Sequence, residues 1–264
     1  MQGIYVMAPS GKMLASRNTL DAAEVSELLE KALARWKELP KKERLAAKLP
    51  EKPARRDDYP GDGLALTVFA RDLPHENRET KLWNQDRVWF RKGELAVPLE
   101  AGESKDAALM ARRLATTGFL DYVRGETEHF ESKHVEEASL VLSVRSVSGS
   151  LVTLRLAGKT RTKAEGTWSV AGFNDMKKPT PQKRGITLAL EGEAVFDTSK
   201  QRFTRFELAA VGTRFGGTQY NDRSKDLAEA PIGFWVELAL AEDRVLPTGL
   251  DTYEWPEEPK KVWR

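Results

Sequence analysis

Apolar and polar positions follow two different periods along this chain. Near the start, Ile4, Tyr5, Val6 and Met7 form a short apolar run, "APSGK" places Pro and Gly as a turn would, and Met13 to Ala15 resume an extended pattern, which predicts a β-hairpin. Asn18 or Thr19 can cap the next segment. There Val25, Leu28, Leu29, Ala32, Leu33 and Trp36 recur at helical spacing, predicting an amphipathic helix over residues 21–38. A second helical piece, "KKERLAAKL", leads into "PEKPARRDDYPGDG", which has Pro, Gly and charge but no period. The expected division is therefore a hairpin and helix over 1–50, a linker over 51–62 and a second domain over 63–264.

From Leu64 onward the period becomes two. "LALTVFARDL" starts a strand, and after an irregular region "ASLVLSVRSVSGSLVTLRLAGKTRT", "GITLALEGEAVFDTSKQRFTRFELAAVGTRF" and "IGFWVELALA" continue the pattern. Leu140, Leu142 and Val144 alternate with Ser139, Ser143 and Arg145, and Ile232, Phe234, Val236, Leu238 and Leu240 share a face, so each strand has one apolar side. Short turns such as "SGS" and "DTSKQR" predict antiparallel neighbours in a meander. "DAALMARRLATTGFLDYV" predicts a helix whose Leu109, Leu114 and Phe119 plug one open side of the sheet. Gly158 and Gly192, late in two similar strands, mark places where the sheet bends. The fold class expected is α+β, mainly β: a strongly bent antiparallel sheet or partly closed barrel with one packed helix, preceded by a β-hairpin and helix.

The order strand, Gly-turn, strand, amphipathic helix in "YVMAPSGKMLAS" and its continuation resembles the C-terminal β-β-α half of a thioredoxin-like fold, over about the first 38 residues. That resemblance implies a partner for the opening strand, either missing from this chain, which is the favoured expectation, or supplied by the later domain. A free strand edge of this kind would also allow a homo-oligomer to form through it. The redox motif of the family is a Cys-x-x-Cys pair, and the chain has no cysteine, so thioredoxin activity is not implied.

The absence of cysteine also excludes disulfide frameworks, thiol catalysis and Cys-type zinc sites. Lys and Arg total 42 against 40 acidic residues, a balance too even to suggest nucleic acid or an anionic membrane as partner. No apolar run approaches the roughly 20 residues of a membrane span, and the N-terminus lacks the pattern of a signal peptide, which leaves the compartment open.

Three sets of residues could carry chemistry. Of the three histidines, His75, His129 and His134, the last two stand five apart in "ETEHFESKHVEE", the wrong spacing for a helical metal motif, so no metal and no cofactor is expected. Carboxylates on the strands could serve a hydrolase of esters or glycosides: Glu191 and Glu193 share a face about 7 Å apart, and Glu207 and Glu237 could lie on adjacent strands. A sheet with one solvated face would look the same. Finally, two segments expected to be irregular combine aromatic rings, amides and charge: "KLWNQDRVWF", with Trp83, Asn84 and Asp86, and "RFGGTQYNDR", with Gln219, Tyr220, Asn221, Asp222 and Arg223. Such loops suit a small-molecule or glycan ligand, and they equally suit loops that satisfy their own backbone. The leading expectation is a noncatalytic domain binding a small molecule, glycan or protein partner through these residues. The alternative is a carboxylate-dependent hydrolase, metal-assisted or not, using Asp86, Asp222, Glu191 or Glu207.

Overall fold

A computed structural model describes residues 3–19, 21–45, 61–75, 82–170, 178–239 and 247. The chain divides into two compact units, Met1–Asp57 and Asp58–Arg264. In the first, β1 (Ile4–Met7) and β2 (Met13–Arg17) pair antiparallel, and α1 (Ala22–Glu38) packs on them. Asp21 caps α1, its carboxylate accepting from the amides of Ala23 and Glu24 at 2.9 and 3.0 Å. Ala8, Leu14, Ala15, Leu28, Ala32 and Leu39 form the core of this unit. Leu29 and Leu33, expected on the buried stripe, are 51% and 52% exposed, because a two-stranded hairpin covers a narrower arc of helix than a full sheet does. The second helical piece is one turn, α2 (Lys41–Arg44), with residues 46–49 outside the described set.

The second unit is built on one eight-stranded antiparallel sheet. Its strands are β3 (Leu64–Asp72), β4 (Trp83–Phe90), β5 (Ser104–Asp106), β6 (Val135–Ser148), β7 (Leu151–Trp168), β8 (Thr180–Asp197), β9 (Arg202–Phe215) and β10 (Ala230–Leu238). The spatial order is β4-β3-β10-β9-β8-β7-β6-β5, and the sheet is not closed. From β6 to β10 it is a plain antiparallel meander, with short turns joining β6 to β7 and β8 to β9.

Two findings show how strongly the sheet bends. The π-helical turn Leu114–Gly118 touches β4 at one edge and also β6 and β7 near the other. At Gly158 and Gly192, a Cβ would stand 2.1 Å from the Ser139 carbonyl oxygen and 2.2 Å from that of Glu207. Only glycine lets neighbouring strands approach so closely on the inside of the curve.

That inner face carries the core: Leu66, Val68, Leu140, Leu154, Leu156, Leu188, Leu190, Phe206, Leu208 and Phe234 all point into it. The helix α3 (Ala108–Arg113) and the π-turn that follows fill the hollow. The expected helix is thus interrupted at Arg113. Leu114 and Phe119 are buried as expected, Phe119 lying against Phe234 with ring centroids 5.2 Å apart, whereas Met110 is buried where Leu109 was expected. Arg113 ties this plug to β4, donating to both oxygens of Glu94 (2.6 and 2.7 Å) and to the Trp89 carbonyl (2.8 Å), with its guanidinium over Phe90.

One expectation about an element is overturned. "KLWNQDRVWF" is not irregular: Trp83–Phe90 is strand β4, paired along its whole length with β3. Leu240, expected on the inner face of β10, lies outside the described residues, as does most of the linker. No helix among the described residues is long and apolar enough to cross a membrane.

Candidate functional site

The sequence-predicted ligand-binding residues gather at one rim of the sheet, where β3 and β9 end and β4, β8 and β10 begin, but they divide between its two faces. Asn221 and Arg223 belong to the inner side. The Asn221 carbonyl oxygen accepts from the Thr218 amide at 2.9 Å, and its amide donates to the Asp121 carbonyl at 3.3 Å. Arg223, fully buried, donates to both oxygens of Asp72, to both oxygens of Asp121 (2.6 and 2.8 Å) and to Asp226 (3.2 Å). Arg214, 1% exposed, donates to the Asp226 carboxylate, and Arg124 reaches Asp72 at 2.8 Å and Asp226 at 2.9 Å.

This arrangement locks two long segments, 119–130 and 216–229, onto the ends of β3 and β9. Burial alone would lower the Arg223 guanidinium, but hydrogen bonds and charge from Asp72 and Asp121 outweigh it and hold the group above the usual arginine range. Burial likewise opposes ionisation of Asp72 and Asp226. Arg223 and Arg124 at the first, and Arg214 with Arg124 and Arg223 at the second, overcome it and keep both carboxyls below their ordinary range. Groups so firmly charged and engaged serve as fasteners and are poor proton donors.

Gln219 is half-buried and Tyr220 is 39% exposed. Asp222 is exposed and sits at φ 49°, a left-handed turn position that Asp tolerates. On β4, the Asn84 amide donates to the Tyr122 carbonyl at 3.0 Å, so Asn84 and Asn221 grip consecutive residues of one segment. Asp86 accepts from the Arg87 amide at 2.7 Å, and its charge, after burial, raises the Tyr122 phenol. Trp83 turns the other way. It lies on the outer face against Phe69, centroids 6.0 Å apart, away from Asn221 and Arg223 on the inner side.

The other two carboxylates of the hydrolase alternative, Glu191 and Glu207, also face outward, far along the strands from Asp222. Glu237, Glu207 and Glu193 stand directly opposite one another on β10, β9 and β8. Like charges in register repel, and neighbours answer each of them. Arg205 reaches Glu207 and, at 3.0 Å, Glu193; Arg145 reaches Glu193 at 3.2 Å; the Trp235 indole N–H donates to Glu237 at 2.9 Å. Glu191 pairs with Arg155 at 3.2 Å. The hydrogen bond from Arg205 holds Glu207 below the ordinary carboxylate range, the opposite of what a general acid requires.

The histidines are taken up locally. His134 accepts from the Glu131 amide at 3.1 Å, His129 offers its backbone carbonyl to Arg184 at 2.9 Å, and the His75 ring stands 3.4 Å from the Leu73 carbonyl.

Sequence reasoning missed what surrounds Trp83. Phe69 and Trp235 are direct cross-strand partners, and Val211 lies diagonally beyond Trp235. Trp83, Trp235 and Val211 are 59%, 41% and 53% exposed. Leu73 lies over Gly233, where a Cβ would stand 3.2 Å from its side chain. An apolar strip therefore crosses four strands, about 15 Å at the usual strand spacing. A signal for it existed: Phe69 and Trp235 fall on the solvent phase of their strands, between Val68 and Ala70 and between Phe234 and Val236. Set against known proteins, the chain matches no family model, no curated protein and no solved structure.

Proposed function

We propose that this protein is a noncatalytic interaction domain that binds a protein partner through the outer face of its sheet. One observation carries the reading: exposed Trp83, Trp235 and Val211, with half-buried Phe69 among them, form an apolar strip across four strands of the outer face. Contiguous exposed apolar area marks interaction sites, and tryptophan is prominent among the residues that dominate binding energy. The strip favours a protein over a glycan because the Phe69 and Trp83 rings are tilted by 48°. They do not form a flat platform for successive sugar rings, and Val211 adds aliphatic rather than hydrogen-bonding surface. Glu191 and Glu207 are paired with arginines and lie far along the strands from Asp222, which argues against the hydrolase alternative.

The test begins with a photo-crosslinking residue at exposed Gln85, beside the strip, to identify the partner in the native host. Binding of the purified partner is then measured for Trp83→Ala and Trp235→Ala. Affinity is expected to fall at least tenfold for each, with thermal stability nearly unchanged because both side chains are already solvated. Unchanged affinity in both variants would refute the reading. Binding to a polysaccharide panel that Trp83→Ala abolishes would replace the protein partner with a glycan.

A further inference from the structure

The inner rim holds a second feature, independent of the outer strip. Four guanidinium groups, Arg124, Arg184, Arg214 and Arg223, are gathered there with three carboxylates, Asp72, Asp121 and Asp226. Arg184 is the odd one out. It is 8% exposed and its guanidinium lies 4.4 Å over the Phe130 ring. Its hydrogen bonds run only to neutral acceptors: the Thr127 hydroxyl (3.2 Å) and the carbonyls of Glu128 (2.7 Å) and His129 (2.9 Å). Glu128 reaches it through the backbone, its side chain being exposed.

Burial disfavours the charged form of Arg184 more than the charges of Glu128 and Asp121 favour it, and some of its N–H donors stay uncommitted. Arg214 adds a second spare donor. Its Nε is buried without a hydrogen-bond partner, with the nearest carboxylate oxygen, on Asp121, 4.0 Å away.

Both arginines line one recess at the ends of β8 and β9, together with Thr127, Asn221, Asp121 and Phe130. They share the inner face because Arg214 stands opposite Ile186, and Arg184 lies two residues before Ile186 on β8. The recess has room for about one water-sized sphere. Asp121 brings a carboxylate to its wall, but both oxygens of that carboxylate already accept from Arg223. The burial of Arg184, its bonds to neutral acceptors only, the spare donors and the volume together define an occupant.

We infer that the recess between Arg184 and Arg214 binds one small monovalent anion of the halide class. The second charge of a phosphate or sulfate would be opposed by Asp121 on the wall of the recess. The anion offsets the burial of Arg184 and fastens the 119–130 segment to β8 and β9.

The test compares thermal unfolding of the full chain in sodium gluconate, chloride and bromide at one ionic strength. Because a ligand that binds only the folded state stabilises it by mass action, chloride and bromide are expected to raise Tm by about 2–4 °C over gluconate, saturably. Arg184→Met should lose that difference. Crystals grown in bromide should show an anomalous peak in the recess, which decides the matter even where Arg184→Met does not fold. Equal Tm in all three salts with no bromide peak, or a halide effect undiminished in a folded Arg184→Met, would overturn the assignment. None of these outcomes bears on the outer strip, so the two readings stand or fall separately.

Discussion

Arg223 joins three carboxylates from three parts of the chain: Asp72 at the end of β3, Asp121 after the π-turn, and Asp226 in its own loop. The partners are separated from it by 151, 102 and 3 residues. From sequence alone Arg223 is one of several charged residues in a polar loop, because nothing local records that its counter-charges arrive from so far away. Truncating it leaves carboxylates buried without their fork. Arg223→Met is therefore expected to cost about 3–5 kcal/mol, measured by urea unfolding, and Arg223→Lys should recover little, since a lysine cannot bond two carboxylates in parallel. The same residue sets an acid response. Asp72 and Asp226 are more acidic folded than unfolded. Their contribution is complete above the unfolded aspartate value of roughly 3.9 and is lost as pH falls through the lower folded values. Unfolding free energies between pH 6 and 2.5 should decline below about pH 4, less steeply in Arg223→Met; equal slopes would show that other carboxylates govern acid unfolding.

At the level of elements, legibility tracked how evenly each segment is covered. The strands β7 to β9 have one covered and one solvated face along much of their length, and β6 and β10 along part of theirs, so period two appears in the sequence and the meander follows from it. In β4, coverage changes along the strand. Trp83 to Gln85 are exposed on both faces and Arg87 to Phe90 are buried on both, which removes the alternation and makes an edge strand look irregular. The interruption of α3 is equally unreadable, because the π-turn is fixed by packing between β4 and β7. The bend glycines were legible as positions but not as a mechanism. On β8, a methyl at residue 192 would collide with the Glu207 carbonyl oxygen, a backbone atom that moves only if β9 moves. Gly192→Ala is expected to destabilise by about 1–3 kcal/mol, the usual cost of overpacking, seen as a lower denaturation midpoint. An unchanged midpoint would mean that the strands can separate there without loss, and that the curvature does not depend on that glycine.

At the level of the whole molecule, the described residues form two apolar cores of unequal size. Leu28, Ala32 and their neighbours form one small cluster within Met1–Asp57, and the large cluster under the eight-stranded sheet lies within Asp58–Arg264. Two short strands and one long helix shield little apolar surface, so the first unit contributes a minor share of stability. The exposed Tyr5, Met7, Met13, Leu29 and Leu33 show how much of its apolar surface stays solvated. The second unit has its own plug, its own ionic fastening and a core drawn from seven of its eight strands, excluding β5. A chain beginning at Asp58 should therefore fold alone, with one cooperative unfolding transition and a midpoint close to the main transition of the full chain. The Trp235 and Trp89 environments report on that core by fluorescence, because Trp89 is buried and Trp235 lies on the outer face of the same sheet. If the truncated chain instead unfolds gradually, or keeps its secondary structure but loses the sharp transition, residues 1–57 contribute to the main core and the boundary at Asp57 is not a folding boundary.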